Sequence, residues 1–369
     1  MTDAISRLRH EGVSVWLDDA SKDPVPPQTL YSMIESERIA GLTSYPALLA
    51  HAHRRNSLDG ALPRNAAQTG ITSEPAGLRP SVADDVRRNC DLLLGVHRRT
   101  AGRDGYVTVN VDPRHAQDAA RIFNAALAVH SFLDRPNILI GLPATDAGTR
   151  AMSECVANGI GVHATLVFSA NRYRQVVAAY LRGLEAAHAR GHALADIPSV
   201  ASFHISELDR AVDTELTKAA TPEAKAMMGR AGLAHARLAY EVYEHATHSS
   251  RWQKLATHGA RTQRLLWHPT PQHHQDTHFV EELVAKDTIM NIPTDLLQAV
   301  THHGQIVGDR VRRHYTQAHR DLNYLRWFGI STTAITQQLE QQALCTEQIT
   351  WQKALNRVSP RLHQTPVAV

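Results

Sequence analysis

Eight short apolar segments recur along the chain, and longer amphipathic stretches separate them. The apolar segments lie at residues 13–18, 39–44, 106–112, 137–142, 160–168, 198–206, 263–268 and 288–293. Apolar runs of this length are typical of buried parallel strands, whereas residues 114–133, 172–191 and 222–247 have helical periodicity, the last as one long helix. Strands and helices that alternate eight times predict an α/β fold, a (β/α)8 TIM barrel with additional helices.

The length of 369 residues suits one barrel with additions, so we expect a single domain over residues 1–369. Residues 53–81 are rich in proline, glycine, serine and asparagine, which predicts a long loop. We expect helices over residues 294–357, followed by a polar tail over residues 358–369.

Charge and cysteine usage limit the partners and the compartment. The net charge is +3, and lysine and arginine do not cluster, which argues against nucleic acid and anionic membranes as partners. No run approaches the roughly 18 apolar residues of a membrane span, and no secretory signal is evident. The cysteines Cys90, Cys155 and Cys345 lack the spacing of zinc sites or disulfide frameworks. We expect a cytoplasmic protein with a small-molecule substrate and no cofactor, as a monomer or a homodimer.

Motifs at the predicted strands follow one family in order and spacing. They include "GVSVWLDD", "IAGLTSYPALL", "VTVNVDPR", "DRPNILIGLPAT", "GIGVHATLVFSANRY", "IPSVASFHISELDRAV" and "TIMNIP". In these motifs the chain resembles the transaldolases, specifically the longer bacterial type, over nearly its whole length. The resemblance implies a class I aldolase-like barrel whose chemistry lies where the strands end.

The resemblance places some of the family's functional residues on this chain. Asp18 in "WLDD" stands at the position of an acid/base aspartate, and Thr165 in "HATLVFS" at that of a threonine that positions the catalytic water. Ser202 in "SFHIS" also matches the family. The position of the Schiff-base lysine is occupied by Gly141 in "IGLPAT", and glycine cannot supply the amine that forms an iminium.

Five other positions differ from the family pattern. The acid/base glutamate of the third strand is replaced by Asn110, the asparagine of "TTNP" by Tyr45, and an asparagine of the fifth strand by His163. Glu207 replaces the phosphate-binding arginine, and the loop after the seventh strand begins with His268. At about 4 Å and an effective dielectric of about 20, a unit charge pair is worth on the order of 4 kcal/mol, so the change to Glu207 disfavours a phosphorylated ketose.

The substituted side chains are themselves chemically competent. Regular alternation along the strands would point His163 and His204 into the barrel, where Asp18 and Glu207 could join them. A neutral imidazole beside a carboxylate is a usual general base near pH 7. A weaker hypothesis uses His163, His204 and Glu207 as ligands of a divalent metal. We therefore predict as catalytic Asp18, His163, His204, Glu207 and Thr165, and as substrate-binding Tyr45, Asn110, Gly141, Ser202 and His268.

These substitutions lead to a functional hypothesis with two alternatives. We predict a transaldolase-like enzyme converted to lysine-independent acid/base chemistry, such as isomerisation, elimination, cyclisation or carbon–carbon bond formation or cleavage. Its substrate would be non-phosphorylated and would belong to specialised metabolism. The alternatives are a catalytically silent homologue that binds a metabolite or a partner enzyme, and a metal-dependent aldolase-type enzyme.

Overall fold

The computed structural model of the protein describes residues 3–18, 25–44, 80–270 and 276–358. Eight parallel strands close into a barrel in chain order, and the first strand pairs with the eighth, with Ser14 beside Ile289. The strands are β1 Ser14–Asp18, β2 Leu42–Ser44, β3 Val107–Asn110, β4 Ile138–Pro143, β5 Val162–Val167, β6 Ser199–His204, β7 Arg264–His268 and β8 Ile289–Ile292. Each strand coincides with a predicted apolar segment, with β4 ending one residue beyond its segment, and the closed barrel confirms the TIM-barrel prediction.

Helices connect the strands and cover the outside of the barrel. They are α1 Ala4–His10, α2 Pro27–Glu35, α3 Pro80–Arg99, α4 Ala119–Leu133, α5 Asp146–Ala157, α6 Ala170–Ala189, α7 Ser206–Ala219, α8 Pro222–Ala226, α9 Ala231–His248, α10 Ser250–Thr257, α11 His278–Glu282, α12 Thr294–His303, α13 Tyr315–Trp327 and α14 Thr332–Val358. The prediction of a single helix over residues 222–247 is wrong, because two helices occupy this range. Gly229, at φ 73°, takes the left-handed conformation between α8 and α9, and this conformation interrupts a right-handed helix.

The outer segments are described only in part. Residues 294–357 contain helices α12, α13 and most of α14. Of the predicted loop 53–81 only residues 80 and 81 are described, and they begin α3; of the tail 358–369 only Val358 is described, and it ends α14. The rest of both segments lies outside the described residues. Across the described ranges no helix is both long and apolar enough to cross a membrane.

An apolar layer fills the middle of the barrel. It is formed by the buried side chains of Trp16, Tyr106, Leu139, Val200, Leu266 and Ile289. Trp16 lies so close to Gly41 that a Cβ atom at residue 41 would be 2.5 Å from the indole ring. Residue 41 must therefore be glycine for the indole to fill this layer.

A buried charged network closes the amino-terminal end of the barrel. Arg264 donates to Asp104 Oδ1 over 2.9 Å and to Ser14 Oγ over 2.6 Å, and Trp16 Nε1 donates to Asp104 Oδ1 over 3.0 Å. Burial acts to raise the pKa of Asp104, but the Arg264 charge and these hydrogen bonds outweigh it and lower that pKa. Polar groups at this end stabilise a barrel, whereas catalysis belongs to the opposite end.

Strand β5 is irregular near its carboxyl end. Its register with β6 shifts between Ala164 and Val167, and Leu166 has φ 61°, a left-handed conformation that is costly for a branched side chain. The regular alternation expected from the sequence therefore ends at this bulge. As a result Leu166 and Phe168 pack together with Leu344 of α14 in one apolar cluster.

Candidate active site at the carboxyl end of the barrel

A layer of polar side chains lies two residues beyond the apolar layer on most strands. Because side chains alternate along a strand, the residue two positions after an inward one also points inward. The layer comprises Asp18, Thr43, Thr108, His163, Ser202, His268 and Asn291, and Gly141 occupies the corresponding position on β4. The polar groups therefore gather where the strands end, at the end of the barrel where enzymes of this fold bind substrate.

His163 lies inside the barrel and is held by two hydroxyl groups. Its Nδ1 is 3.1 Å from Thr108 Oγ1, and its Nε2 is 2.5 Å from Ser202 Oγ. Burial, followed by the charges of His204 and His268, lowers the pKa of His163 to about 3. The imidazole is thus neutral at physiological pH, with both nitrogens engaged. Its inward orientation was foreseen, and its catalytic role stays a prediction.

Asp18 and His268 belong to a second hydrogen-bonded group, on the β1, β2, β7 and β8 side. His268 Nε2 is 3.7 Å from Asp18 Oδ2, and Asn291 Nδ2 donates to His268 Nδ1 over 3.1 Å. Thr43 Oγ1 is within hydrogen-bond distance of Asp18 and Asn291, at 3.3 and 3.0 Å. Burial and the charge of His204 lower the pKa of His268, although Asp18 and Glu207 oppose this. The group fixes the orientation of the Asp18 carboxylate.

His204 and Glu207 form a pair at the mouth of the barrel. His204 Nδ1 is 3.8 Å from Glu207 Oε1, and its ring stacks between Phe168 and His268 at 4.9 Å centroid distances. Burial acts to raise the pKa of Glu207, but the adjacent His204 imidazole outweighs it and lowers that pKa to about 2. Glu207 Oε2 is enclosed and has no hydrogen-bond partner within the described chain.

The Asn110 side chain fills the space beside Gly141. A Cβ atom at residue 141 would lie 1.8 Å from Asn110 Oδ1 and 2.6 Å from its Cγ. The two residues are neighbours in register on β3 and β4. The position identified from the resemblance as that of the lysine therefore has no side chain and no room for one while Asn110 keeps its conformation.

A cavity of about 520 Å³ opens beside His204 and Glu207. The barrel contributes Leu166 and Phe168, α7 contributes Arg210, and α14 contributes Glu347. Burial raises the pKa of Glu347 to about 7, opposed by the charge of His204. The larger groove near Trp327 lies between α8 and α13, on the outside of the barrel, and is not lined by the predicted site residues.

The predicted site residues are thus largely brought together. They form two groups: His163 contacts Ser202, while His268 contacts both Asp18 and His204, and His204 lies beside Glu207. Asn110 and Gly141 adjoin each other in the same barrel interior, Thr165 is buried near the end of β5, and Tyr45 lies outside the described residues.

The geometry does not support the metal hypothesis. In the described ranges no group of three or more histidine, cysteine, aspartate and glutamate side chains is placed to hold a metal ion. His163, one of the three proposed ligands, already has a hydroxyl partner at each ring nitrogen. Whichever ring nitrogen bound a metal would have to give up its hydroxyl partner.

Sequence reasoning missed four residues of this site. Thr43, Thr108 and Asn291 lie at inward positions of β2, β3 and β8, and period-two counting along each segment, from Gly41, Tyr106 and Ile289, could have found them. Glu347 carries no such signal, because it lies on a helix far along the chain whose position depends on tertiary packing.

A closed parallel barrel with polar groups at the carboxyl ends of its strands is typical of TIM-barrel enzymes, and this chain has that arrangement. The family model described as "Transaldolase/Fructose-6-phosphate aldolase" matches residues 15–358. Transaldolase 1 of Streptomyces avermitilis is 40% identical over 361 residues, which cover 97% of this chain and 95% of that protein. The transaldolase of Thermobifida fusca is 41% identical over 366 residues, 98% of this chain and 99% of that protein. The chain belongs to the transaldolase/fructose-6-phosphate aldolase family.

These relatives overturn the predicted change of function. Full-length relatives at about 40% identity are named transaldolases, which supports ordinary transaldolase function. The prediction of lysine-independent acid/base chemistry on a non-phosphorylated substrate in specialised metabolism is therefore wrong, as are its two alternatives, the silent homologue and the metal-dependent aldolase. The error came from giving the substitutions around Gly141 more weight than the similarity of the whole chain.

Proposed function

We propose that the protein catalyses an aldol-type transfer between sugars, the reaction for which its relatives are named, at the carboxyl end of the barrel. The observation that carries the proposal is the similarity to transaldolases over nearly the whole chain. The polar layer from Asp18 to Asn291 supports it, because hydroxyl, amide and carboxylate groups suit the hydroxyl groups of a sugar.

The substrate in this proposal carries a phosphate group, as the family description names fructose 6-phosphate. Glu207 cannot bind that group, but Arg210 lies one helical turn further along α7 and lines the same cavity. A guanidinium group binds phosphate through two parallel hydrogen bonds. Arg210 is therefore the proposed phosphate contact.

In this proposal residue 141 does not supply the lysine amine that would form an imine with the sugar. Aldol cleavage requires a group that accepts the electrons of the breaking bond, and an imine formed with a lysine is one such group. Residue 141 cannot form it, since it is glycine and the adjacent space holds Asn110. The lysines of the described ranges are all exposed: Lys218, Lys225, Lys254, Lys286 and Lys353.

The test measures turnover and adduct formation together. The protein is supplied with fructose 6-phosphate and erythrose 4-phosphate, and release of glyceraldehyde 3-phosphate is followed with and without borohydride. We expect turnover that Asp18→Asn lowers at least about 100-fold, the usual scale for a positioned acid or base. Absence of turnover in the wild-type protein would refute the proposed reaction.

Peptide mapping after borohydride treatment locates the amine. Lys22 follows β1 in the sequence and lies outside the described residues. The variant Lys22→Arg tests whether this lysine forms the imine. An adduct on any lysine identifies the imine-forming residue, and turnover without an adduct shows that the electrons are accepted by another group.

For the phosphate contact, Arg210→Gln should raise KM for fructose 6-phosphate but not for fructose, and an equal rise for both would contradict the proposed contact.

A further inference from the structure

The carboxyl-terminal helix α14 is anchored across the end of the barrel. Arg172 on α6 donates to both carboxylate oxygens of Glu340, at 3.2 and 3.0 Å, and these two side chains are largely buried. Further along the helix, Gln348 Nε2 donates to the carbonyl oxygen of Pro113 over 3.0 Å. The helix is therefore held before and after the segment that faces the cavity.

An apolar contact fixes the rotation of α14 about its axis. Leu344 is 9% exposed and packs with Leu166, within the irregular part of β5, and with Phe168, which follows it. The left-handed conformation of Leu166 directs that stretch of chain toward the helix. Residues one turn from Leu344, including Glu347, consequently line the cavity beside His204.

Glu347 differs from a solvated helix-surface glutamate. Its carboxyl group lies close enough to His204 for their charges to interact, and burial raises its pKa to about 7. It shares the cavity with Glu207, whose Oε2 atom is enclosed without a hydrogen-bond partner in the described chain. Two carboxyl groups and an imidazole thus surround a space of about 520 Å³ that can accept a ligand.

We propose that Glu347 is a substrate-binding residue: its carboxyl group hydrogen-bonds a hydroxyl group of a ketose bound in the cavity, opposite the His204–Glu207 pair. The carboxyl-terminal helix thereby supplies one wall of the active site and one residue that determines specificity. The class of ligand rests on the proposed function, whereas the position of Glu347 rests on the structure alone.

The experiment measures binding rather than turnover. Binding of fructose and of fructose 6-phosphate is measured by calorimetry for the wild-type protein, Glu347→Gln and Glu347→Leu. An unpaired polar group in a buried site costs roughly 1–3 kcal/mol, so Glu347→Leu should weaken binding about 5- to 150-fold. Glu347→Gln retains hydrogen-bonding capacity and should change binding less than about threefold.

Glu340→Gln is the matched control on the same helix. It weakens the pair with Arg172 but leaves the cavity lining intact, so it should not alter ligand affinity. Thermal unfolding verifies that each variant is folded, and Glu347→Ala serves as a second truncation if the leucine variant is unstable. An equal loss of binding in Glu340→Gln and Glu347→Leu would mean that helix docking, not the Glu347 carboxyl, matters.

The outcomes separate this inference from the proposed function. Ligand binding that Glu347→Leu abolishes, in a protein without turnover, supports the role of Glu347 and refutes the proposed reaction. Turnover with unchanged affinity in Glu347→Leu supports the reaction and overturns the role of Glu347. Failure of the wild-type protein to bind either sugar overturns the role of Glu347 directly.

Discussion

The contact between Asn110 and Gly141 predicts that the effect of Gly141→Ala on the free energy of unfolding depends on the side chain at residue 110. In Gly141→Ala the new Cβ atom would lie 1.8 Å from Asn110 Oδ1, so the Asn110 side chain must move. Overpacking of this kind costs about 1–3 kcal/mol. The smaller conformational freedom of alanine in the unfolded chain offsets about 0.4–1 kcal/mol of that cost. We therefore expect Gly141→Ala to lower the free energy of unfolding by about 1 kcal/mol.

Removing the Asn110 side chain should reverse this result. In an Asn110→Ala background the Oδ1 and Cγ contacts are lost. The new Cβ atom at residue 141 would then lie 3.2 Å from the Cα atom of residue 110. Gly141→Ala should then be neutral, or stabilising by up to about 1 kcal/mol, since mainly the unfolded-state effect remains. The double-mutant cycle should give a coupling free energy of about 1–2 kcal/mol.

Urea unfolding followed by tryptophan fluorescence measures all four proteins. Gly191→Ala is a suitable control because its Cβ atom would meet nothing within 4 Å, while its φ of 81° makes alanine unfavourable by itself. Its cost should be the same in both backgrounds, as is usual for distant sites. If Gly141→Ala has the same effect with and without the Asn110 side chain, the proposed filling of this space is incorrect.

Three further predictions concern buried groups. Asp104→Asn leaves the Arg264 guanidinium buried without its counter-charge, so it should cost about 3–5 kcal/mol in urea unfolding, and a loss below about 1 kcal/mol would contradict this. Burial raises the pKa of Asp209 from 3.8 to about 7; the folded state therefore holds a proton that the unfolded state releases, and stability falls as the pH rises through this window. Asp209→Asn should remove that part of the fall, and parallel stability curves for the two proteins would refute the assignment. The pKa of His163 is lowered from 6.5 to about 3, so stability should fall as the pH drops below 6.5, and a His163→Gln variant that retains the whole fall would show that another group is responsible.

Much of the barrel followed from local patterns. All eight strands coincide with apolar segments visible in the sequence, because a strand buried on both faces is mainly apolar. Period-two alternation likewise directed His163, Ser202 and His204 into the barrel, and the hydrogen bonds between His163 and Ser202 agree with that placement. The same reasoning could not foresee the break at Gly229, since glycine is tolerated within helices and only the packing of α8 and α9 decided that it would end one.

The sequence by itself determines that residue 141 carries no amine, because it is glycine. Only the tertiary structure decided that Asn110 fills the adjacent space and that Glu347 lines the same cavity as His204. The physical reason is the range of the interactions. Hydrophobic periodicity reports which face of an element is buried, since that depends on neighbours a few residues away. The docking of α14 depends on side chains such as Arg172 and Leu166, which lie far from it along the chain and become its neighbours only after the barrel has closed.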